Sequence, residues 1–153
     1  MTTAANKSFM RILFSILSFF YVAAIFILAG SRVDDTLREF NPYSLLHIPL
    51  YGILACLLVL SVVPIPRGSG GASIQPESDS RELPSEETNG LKLRLFIAGG
   101  TALIVAIFDE VHQLYIPGRE ASVTDMILNM GGIAIALLLF FRLLKPRISQ
   151  STR

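Results

Sequence analysis

The chain has 153 residues, enough for a single domain; 52% of them are hydrophobic and 16% are charged, a balance more apolar than that of soluble domains. The formal net charge is +1, and the basic residues are scattered at the ends of apolar segments, which argues against a nucleic-acid-binding protein. The lone Cys56 excludes a disulfide within the chain, so cysteine content indicates nothing about the compartment.

Four apolar runs follow one another and predict four membrane-spanning helices, at about residues 10–30, 45–63, 93–112 and 125–144. A helix needs roughly 20 mostly apolar residues to cross the hydrocarbon core, so the third helix must continue to about His112. A signal peptide is the alternative interpretation of the first run, but that run exceeds the usual apolar length of a signal peptide. We therefore expect an all-α fold, a four-span transmembrane bundle forming one domain over residues 1–153.

The distribution of basic residues predicts the orientation, because Lys and Arg favour the cytoplasmic ends of spans. With the N-terminus inside, ten of the 13 basic residues lie in inner segments, and only Arg32, Arg38 and Arg119 lie in outer ones. Both termini are therefore expected in the cytoplasm. Between spans two and three, residues 64–90 lack aromatics and hydrophobic periodicity, which predicts a disordered cytoplasmic linker.

Small residues recur at helical spacing inside the runs. Ala98, Ala102 and Ala106 lie four residues apart in the third run, and Gly132 and Ala136 repeat this spacing in the fourth. Small residues at this spacing let helix backbones approach closely in lipid, so we interpret them as packing faces of the bundle.

An interval dense in polar side chains separates the third run from the fourth, and its members are Asp109, Glu110, His112, Gln113, Arg119, Asp125 and Asn129. Ionisable groups in or beside a span are costly, so their presence indicates a functional site by default. In the predicted orientation these residues collect at the outer face, where His47 begins the second span. We therefore predict one outward-facing polar site built from several segments.

Helical spacing divides this site into faces. Asp109 shares a face with His112 and Gln113, and Asp125 shares one with Asn129. Glu110 is rotated by about 100° from its neighbour and is expected to point to another helix or to the loop. A buried amide needs a partner, so Asn129 is expected to hydrogen-bond across to the third helix, to Asp109 or His112.

If the site is catalytic, Glu110 and His112 are the candidate proton-transfer groups, and Arg119 would clamp a phosphate or carboxylate. The remaining candidates, which would bind or orient, are His47, Asp109, Gln113, Asp125 and Asn129. Structural roles compete with these: Ser122-x-x-Asp125 fits a helix-capping box, Arg119 could simply neutralise an acid, and His47 could be an interfacial polar residue. A metal site from the two histidines and the carboxylates is a further alternative, but no metal ligand is assigned and the sequence identifies no cofactor.

The ordered pattern Asp109-Glu110-x-His112-Gln113-x-x-x-Pro117-Gly118-Arg119-x-x-Ser122-x-x-Asp125-x-x-x-Asn129-x-x-Gly132 resembles the VanZ-like family of bacterial membrane proteins, and His47-x-x-x-Tyr51-Gly52 is similar to that family's second motif. One departure is that the family often has an Asp-Lys pair shortly before the histidine, whereas Tyr43-Ser44-Leu45-Leu46 precedes it here. The resemblance implies a multi-pass protein of the bacterial cytoplasmic membrane. The founding member is associated with low-level teicoplanin resistance, but the family's biochemical activity is not established.

Two hypotheses of function follow. In the first, the protein acts on a cell-envelope intermediate or an amphipathic drug at the outward-facing polar site, whether or not it is an enzyme. In the second, the polar cluster is a non-catalytic latch between helices three and four, and the protein binds a lipid, an antibiotic or a partner protein. Membrane lipid is an expected partner in both, and the oligomeric state is left open.

Overall fold

A computed structural model describes residues 2–29, 43–63, 84–117 and 122–151 of the chain. Within these ranges the protein is helical and has no strand, which confirms the all-α fold class. The elements are α1 (Thr2–Ala29), a 3₁₀ turn (Tyr43–Leu46), α2 (His47–Val62), α3 (Pro84–Gln113) and α4 (Val123–Ser151).

The predicted linker overlaps the beginning of α3. Residues 64–83 lie outside the described residues, but residues 84–90 are helical. Pro84 is the first residue of α3, a position where the fixed φ of proline suits a helix and its missing N–H costs nothing.

Three of the helices contain segments long and apolar enough to cross a membrane, namely Ser8–Ala29, Thr88–Gln113 and Val123–Leu144. The second predicted span corresponds to α2, which is apolar but has only 16 residues and is about 24 Å long. It ends because Val63 is extended, with φ −88° and ψ 120°, and the residue before a proline is disfavoured in a helix. The 3₁₀ turn before it adds about 8 Å.

Large apolar side chains point outward from the long helices. Phe19 of α1, Phe96 of α3 and Leu138 of α4 each expose more than half of their surface. So many exposed apolar groups would be unfavourable in water, whereas lipid accommodates them at no cost. Together with the three long apolar segments, this surface identifies a membrane protein.

The four helices alternate in direction, and α2 packs against the other three. Tyr21 of α1 donates a hydrogen bond to the carbonyl of Leu50 at 3.1 Å, whereas Arg11, near the other end of α1, reaches Ser61. The two helices are therefore antiparallel, and α3 is also antiparallel to α2, since Arg94 reaches its C-terminal end. Helix α4 runs parallel to α2.

The small residues identified in the sequence lie in the helix interfaces. Ala98, Ala102 and Ala106 of α3 are buried, as is Ala136 of α4. A Cβ atom built on Gly132 would overlap the backbone carbonyl oxygen of Ile48, so α4 and α2 touch there backbone to backbone. The interpretation of these residues as packing faces is confirmed.

The C-terminal end of α2 is held by arginines. Arg11 Nε donates to the carbonyl oxygen of Ser61 at 3.1 Å, and Arg94 Nη1 donates to that of Val62 at 3.0 Å. The last carbonyls of a helix have no partner inside it and carry partial negative charge. Two guanidinium groups from neighbouring helices therefore satisfy and neutralise this end of α2.

Candidate functional site

The N-terminal end of α2 meets the C-terminal end of α3 and the first turns of α4, and this meeting point is polar. Five of the eight candidate side chains are buried there, and they are His47, Asp109, Glu110, Gln113 and Asn129. Asp125 and His112 are half-buried, and Arg119 lies outside the described residues. The structure thus brings together groups from α2, α3 and α4, as the alternation of spans predicts.

Asp109 is held by two side chains that donate to the same carboxylate oxygen. The Tyr51 hydroxyl donates to Asp109 Oδ2 at 3.0 Å, and Gln113 Nε2 donates to it at 3.1 Å. The second bond confirms that Asp109 and Gln113 share a face. Tyr51 was not among the predicted site residues, although its position four residues after His47, on the same helix face, is a signal that could have identified it.

Glu110 reaches the start of α4, in agreement with its predicted rotation toward another helix or the loop. The backbone N–H of Ser122 donates to Glu110 Oε2 at 3.1 Å. The Ser122 hydroxyl in turn accepts the backbone N–H of Asp125 at 3.3 Å, which is the N-cap hydrogen bond predicted for this serine.

In this arrangement the Asp125 carboxylate takes no part in capping α4. In a complete capping box, the acid three residues after the cap would accept the backbone N–H of the capping residue, but here Glu110 accepts the Ser122 N–H instead. Asp125 Oδ1 lies 3.9 Å from His47 Nδ1. That distance allows electrostatic attraction but exceeds hydrogen-bonding range.

His112 faces α1 as well as the cluster. Its ring packs edge-on against Phe26, with ring centroids 5.4 Å apart. Its Nδ1 atom is buried and has no hydrogen-bond partner among the described residues. Three helical residues turn the chain by about 300°, so the side chains of Asp109 and His112 point about 60° apart around the axis of α3. The Asp109 side chain therefore reaches Tyr51, and the His112 side chain reaches Phe26 of α1.

The predicted hydrogen bond from Asn129 to the third helix is wrong. Asn129 is 0% exposed, and neither polar atom of its side chain has a partner in the described part of the chain. Gly132, one turn further along α4, lies against the backbone of Ile48, so this part of α4 packs closely on α2.

Several polar atoms of the cluster are buried without a partner in the described ranges. They are Asp109 Oδ1, Glu110 Oε1, His112 Nδ1, Asp125 Oδ1 and both side-chain polar atoms of Asn129. Within the same ranges, no Lys or Arg pairs with any of the three acids. Burying a carboxylate without a hydrogen-bond donor or an opposite charge is unfavourable. Hydrogen-bond donors or a positive charge would therefore be favourable at this end of the bundle.

One subset of these residues has the donor atoms of a metal site. His47, Glu110 and Asp125 each offer a ligand atom, and these atoms all lie within 4.8 Å of one another. His112, which the alternative metal reading included, is not part of this group. The three residues come from three different helices, so the group depends on the packing of the bundle.

Comparison with known proteins identifies one family. The family model described as VanZ/LLP1 matches residues 7–145 of the chain. No curated protein and no solved structure matches it. The matched region includes all of α2 and α3, most of α1 and α4, and every predicted site residue.

Proposed function

The chain belongs to the VanZ/LLP1 family, as its motifs indicate. We propose that it is a multi-pass protein of the bacterial cytoplasmic membrane that binds the polar group of an amphipathic cell-envelope molecule. The binding site is the buried cluster at the N-terminal end of α2. An amphipathic glycopeptide-type antibiotic has the same combination of polar and apolar parts, and it is the drug that such a site would recognise.

Charge distribution supports an orientation with this cluster on the outer side. Arg11 and Arg94 lie at the opposite end of the bundle, against the last turn of α2. Basic residues favour the cytoplasmic side. We therefore place the arginine end and both termini in the cytoplasm and the acidic end toward the cell envelope, with α2 and its preceding 3₁₀ turn as the fourth membrane-crossing element.

The observation that carries the proposal is the set of unpartnered atoms. A latch between helices stabilises a bundle by pairing its polar groups, because each unpaired buried group costs about 1–3 kcal/mol. Here the fully buried Asn129 has no partner among the described residues, and neither do Glu110 Oε1 and Asp125 Oδ1. An arrangement that leaves these atoms unpaired suits a ligand better than it suits a latch.

The surroundings of the cluster fit a ligand with an apolar part. Phe108 and Val111 of α3 and Val123 and Ile127 of α4 are exposed apolar residues in the turns that also hold the acids. An acyl or prenyl chain lying in the membrane would contact these side chains while its polar group entered the cluster. Glu110 and His112 stay our proposed proton-transfer groups if the bound molecule is also transformed.

Replacing Glu110 by glutamine tests the binding site, because it removes the charge and keeps the size. We expect the wild-type protein, purified in detergent and studied by native mass spectrometry, to retain a small amphipathic molecule. The variant should retain at least about tenfold less, since a hydrogen bond to a charged group contributes about 1.5–3 kcal/mol. Thr101→Val is the matched control, because Thr101 is on the same helix, is exposed and donates to the carbonyl oxygen of Ile97 in that helix. Equal retention in Glu110→Gln and wild type, or no retained molecule at all, would reject the proposal.

Replacing Asn129 by leucine separates the binding site from the latch. The two side chains have the same branching and the same number of heavy atoms, and removing an unpaired buried amide removes its desolvation cost. We therefore expect the melting temperature of the detergent-purified, ligand-free variant to equal or exceed that of wild type. A latch predicts the opposite, a loss of about 1–3 kcal/mol of stability. Earlier melting of Asn129→Leu would therefore favour the latch.

A further inference from the structure

We propose that His47, Glu110 and Asp125 form a binding site for one divalent transition-metal ion, with Zn²⁺ as the best-suited metal. The inference rests on the proposed function only in treating the cluster as a binding site and not as a latch. Nothing in it depends on which amphipathic molecule is bound. It gives the acids a cationic partner at the place where the described chain offers no Lys or Arg.

The first observation is the donor set. One imidazole and two carboxylates converge, with their ligand atoms within 4.8 Å of one another. Catalytic zinc sites have three protein ligands, which include His and carboxylate side chains in several enzymes, and an open fourth position. An imidazole donor favours Zn²⁺ over Mg²⁺ and Ca²⁺, which prefer oxygen ligands throughout.

The second observation is that ligand atoms are available. Glu110 is 6% exposed; its Oε2 accepts the Ser122 N–H, while its Oε1 is buried and has no partner among the described residues. Asp125 Oδ1 is also buried and has no hydrogen-bond partner among the described residues. Each carboxylate therefore has one buried oxygen left for coordination, and in Glu110 the other oxygen is oriented by a hydrogen bond.

The third observation is the spacing between His47 and Asp125. Their Nδ1 and Oδ1 atoms are 3.9 Å apart, too far for a hydrogen bond but close to the separation of two ligands on one ion. With metal–ligand distances of about 2.0–2.2 Å, ligand atoms of a tetrahedral zinc lie about 3.4 Å apart. Contraction of the widest pair by roughly an ångström or more is within the reach of Asp and Glu side-chain rotation.

The electrostatics agree with a cation. Three acids, Asp109, Glu110 and Asp125, lie at this end of the bundle, and no Lys or Arg of the described ranges pairs with them. Burying such a group of carboxylates without positive charge is strongly unfavourable. A divalent ion removes most of that cost, and its open position would accept an oxygen from water or from the polar group of the bound molecule.

The test is metal binding by the full chain in detergent after treatment with EDTA. We expect one Zn²⁺ per chain by isothermal titration, and affinity at least about 100-fold lower in His47→Gln, Glu110→Gln and Asp125→Asn, since even residues that only orient metal ligands contribute 10–100-fold. Cys56→Ser removes the only thiol of the chain, so this control variant should bind Zn²⁺ as wild type does. No zinc binding in wild type, or unchanged binding in all three ligand variants, would overturn the inference.

A second measurement needs no variant and so does not depend on how well the variants fold. X-ray absorption of the zinc-loaded wild type should show nitrogen and oxygen ligands, one imidazole and no sulfur. Sulfur ligands or more than one imidazole would reject this assignment. If zinc fails to bind while the EDTA-treated protein still retains its amphipathic molecule, the metal inference falls and the proposed function stands.

Discussion

Replacing Gly132 by alanine is expected to destabilise the bundle by about 1–3 kcal/mol. A Cβ atom at this position would overlap the carbonyl oxygen of Ile48 and lie 3.1 Å from the backbone nitrogen of Gly52. Both obstacles are main-chain atoms of α2, so a side chain cannot simply rotate away. The helices would have to separate, and overpacking of this kind typically costs 1–3 kcal/mol. Thermal unfolding in detergent, followed by circular dichroism, measures the loss.

The neighbouring glycine is the matched control. A Cβ atom on Gly131 meets nothing within 4 Å, so Gly131→Ala adds no clash. Alanine is also favoured over glycine in a helix interior by about 0.5–1 kcal/mol. We therefore expect the two alanine variants to move the melting temperature in opposite directions. If Gly132→Ala melts like Gly131→Ala, α4 and α2 do not approach as closely as described.

The other large effect is expected for Tyr51→Ala, which should lose about 3–5 kcal/mol of stability. Tyr51 is 0% exposed, and replacing a buried aromatic ring by alanine leaves a cavity and typically costs about 3–5 kcal/mol. The change also removes the hydrogen bond that its hydroxyl donates to Asp109. Tyr51→Phe keeps the ring, and the loss of the hydroxyl alone should cost about 1–3 kcal/mol.

Tyr115 offers a comparison within the same type of residue. It is 82% exposed and follows the end of α3, so Tyr115→Ala should change stability by less than about 0.5 kcal/mol. Chemical or thermal denaturation in the same detergent would rank the three variants. If the Tyr51→Ala and Tyr115→Ala proteins had the same melting temperature or denaturation midpoint, Tyr51 would not be a core residue.

These two positions explain how the bundle holds its polar end. The backbone contact at Gly132 brings α4 against α2, and Asp125 lies 3.9 Å from His47 at the same end of these two helices. The Tyr51 hydroxyl extends from α2 and donates a hydrogen bond to Asp109 on α3. The arginines at the other end of α2 complete the arrangement, since they satisfy its last carbonyls. The acids and the arginines therefore occupy opposite ends of the same central helix.

The sequence by itself determined the helical segments and the family. Apolar runs predict helices reliably because a chain in lipid must satisfy its backbone polar groups within each segment, and α1, α3 and α4 follow the predicted runs. The spacing of small residues correctly predicted the packing faces. The alternation of spans was also enough to place His47, Asp109 and Asp125 at the same end of the bundle.

Only the tertiary structure decided which polar group meets which. Asn129 makes no hydrogen bond to the described part of α3, Glu110 takes the N–H that would complete the cap of α4, and His47 lies beside Asp125. These pairings depend on how far each helix is rotated about its own axis and on how closely the axes approach. Local spacing specifies which residues share a face, but the neighbour of that face is set by packing elsewhere, above all by the backbone contact at Gly132.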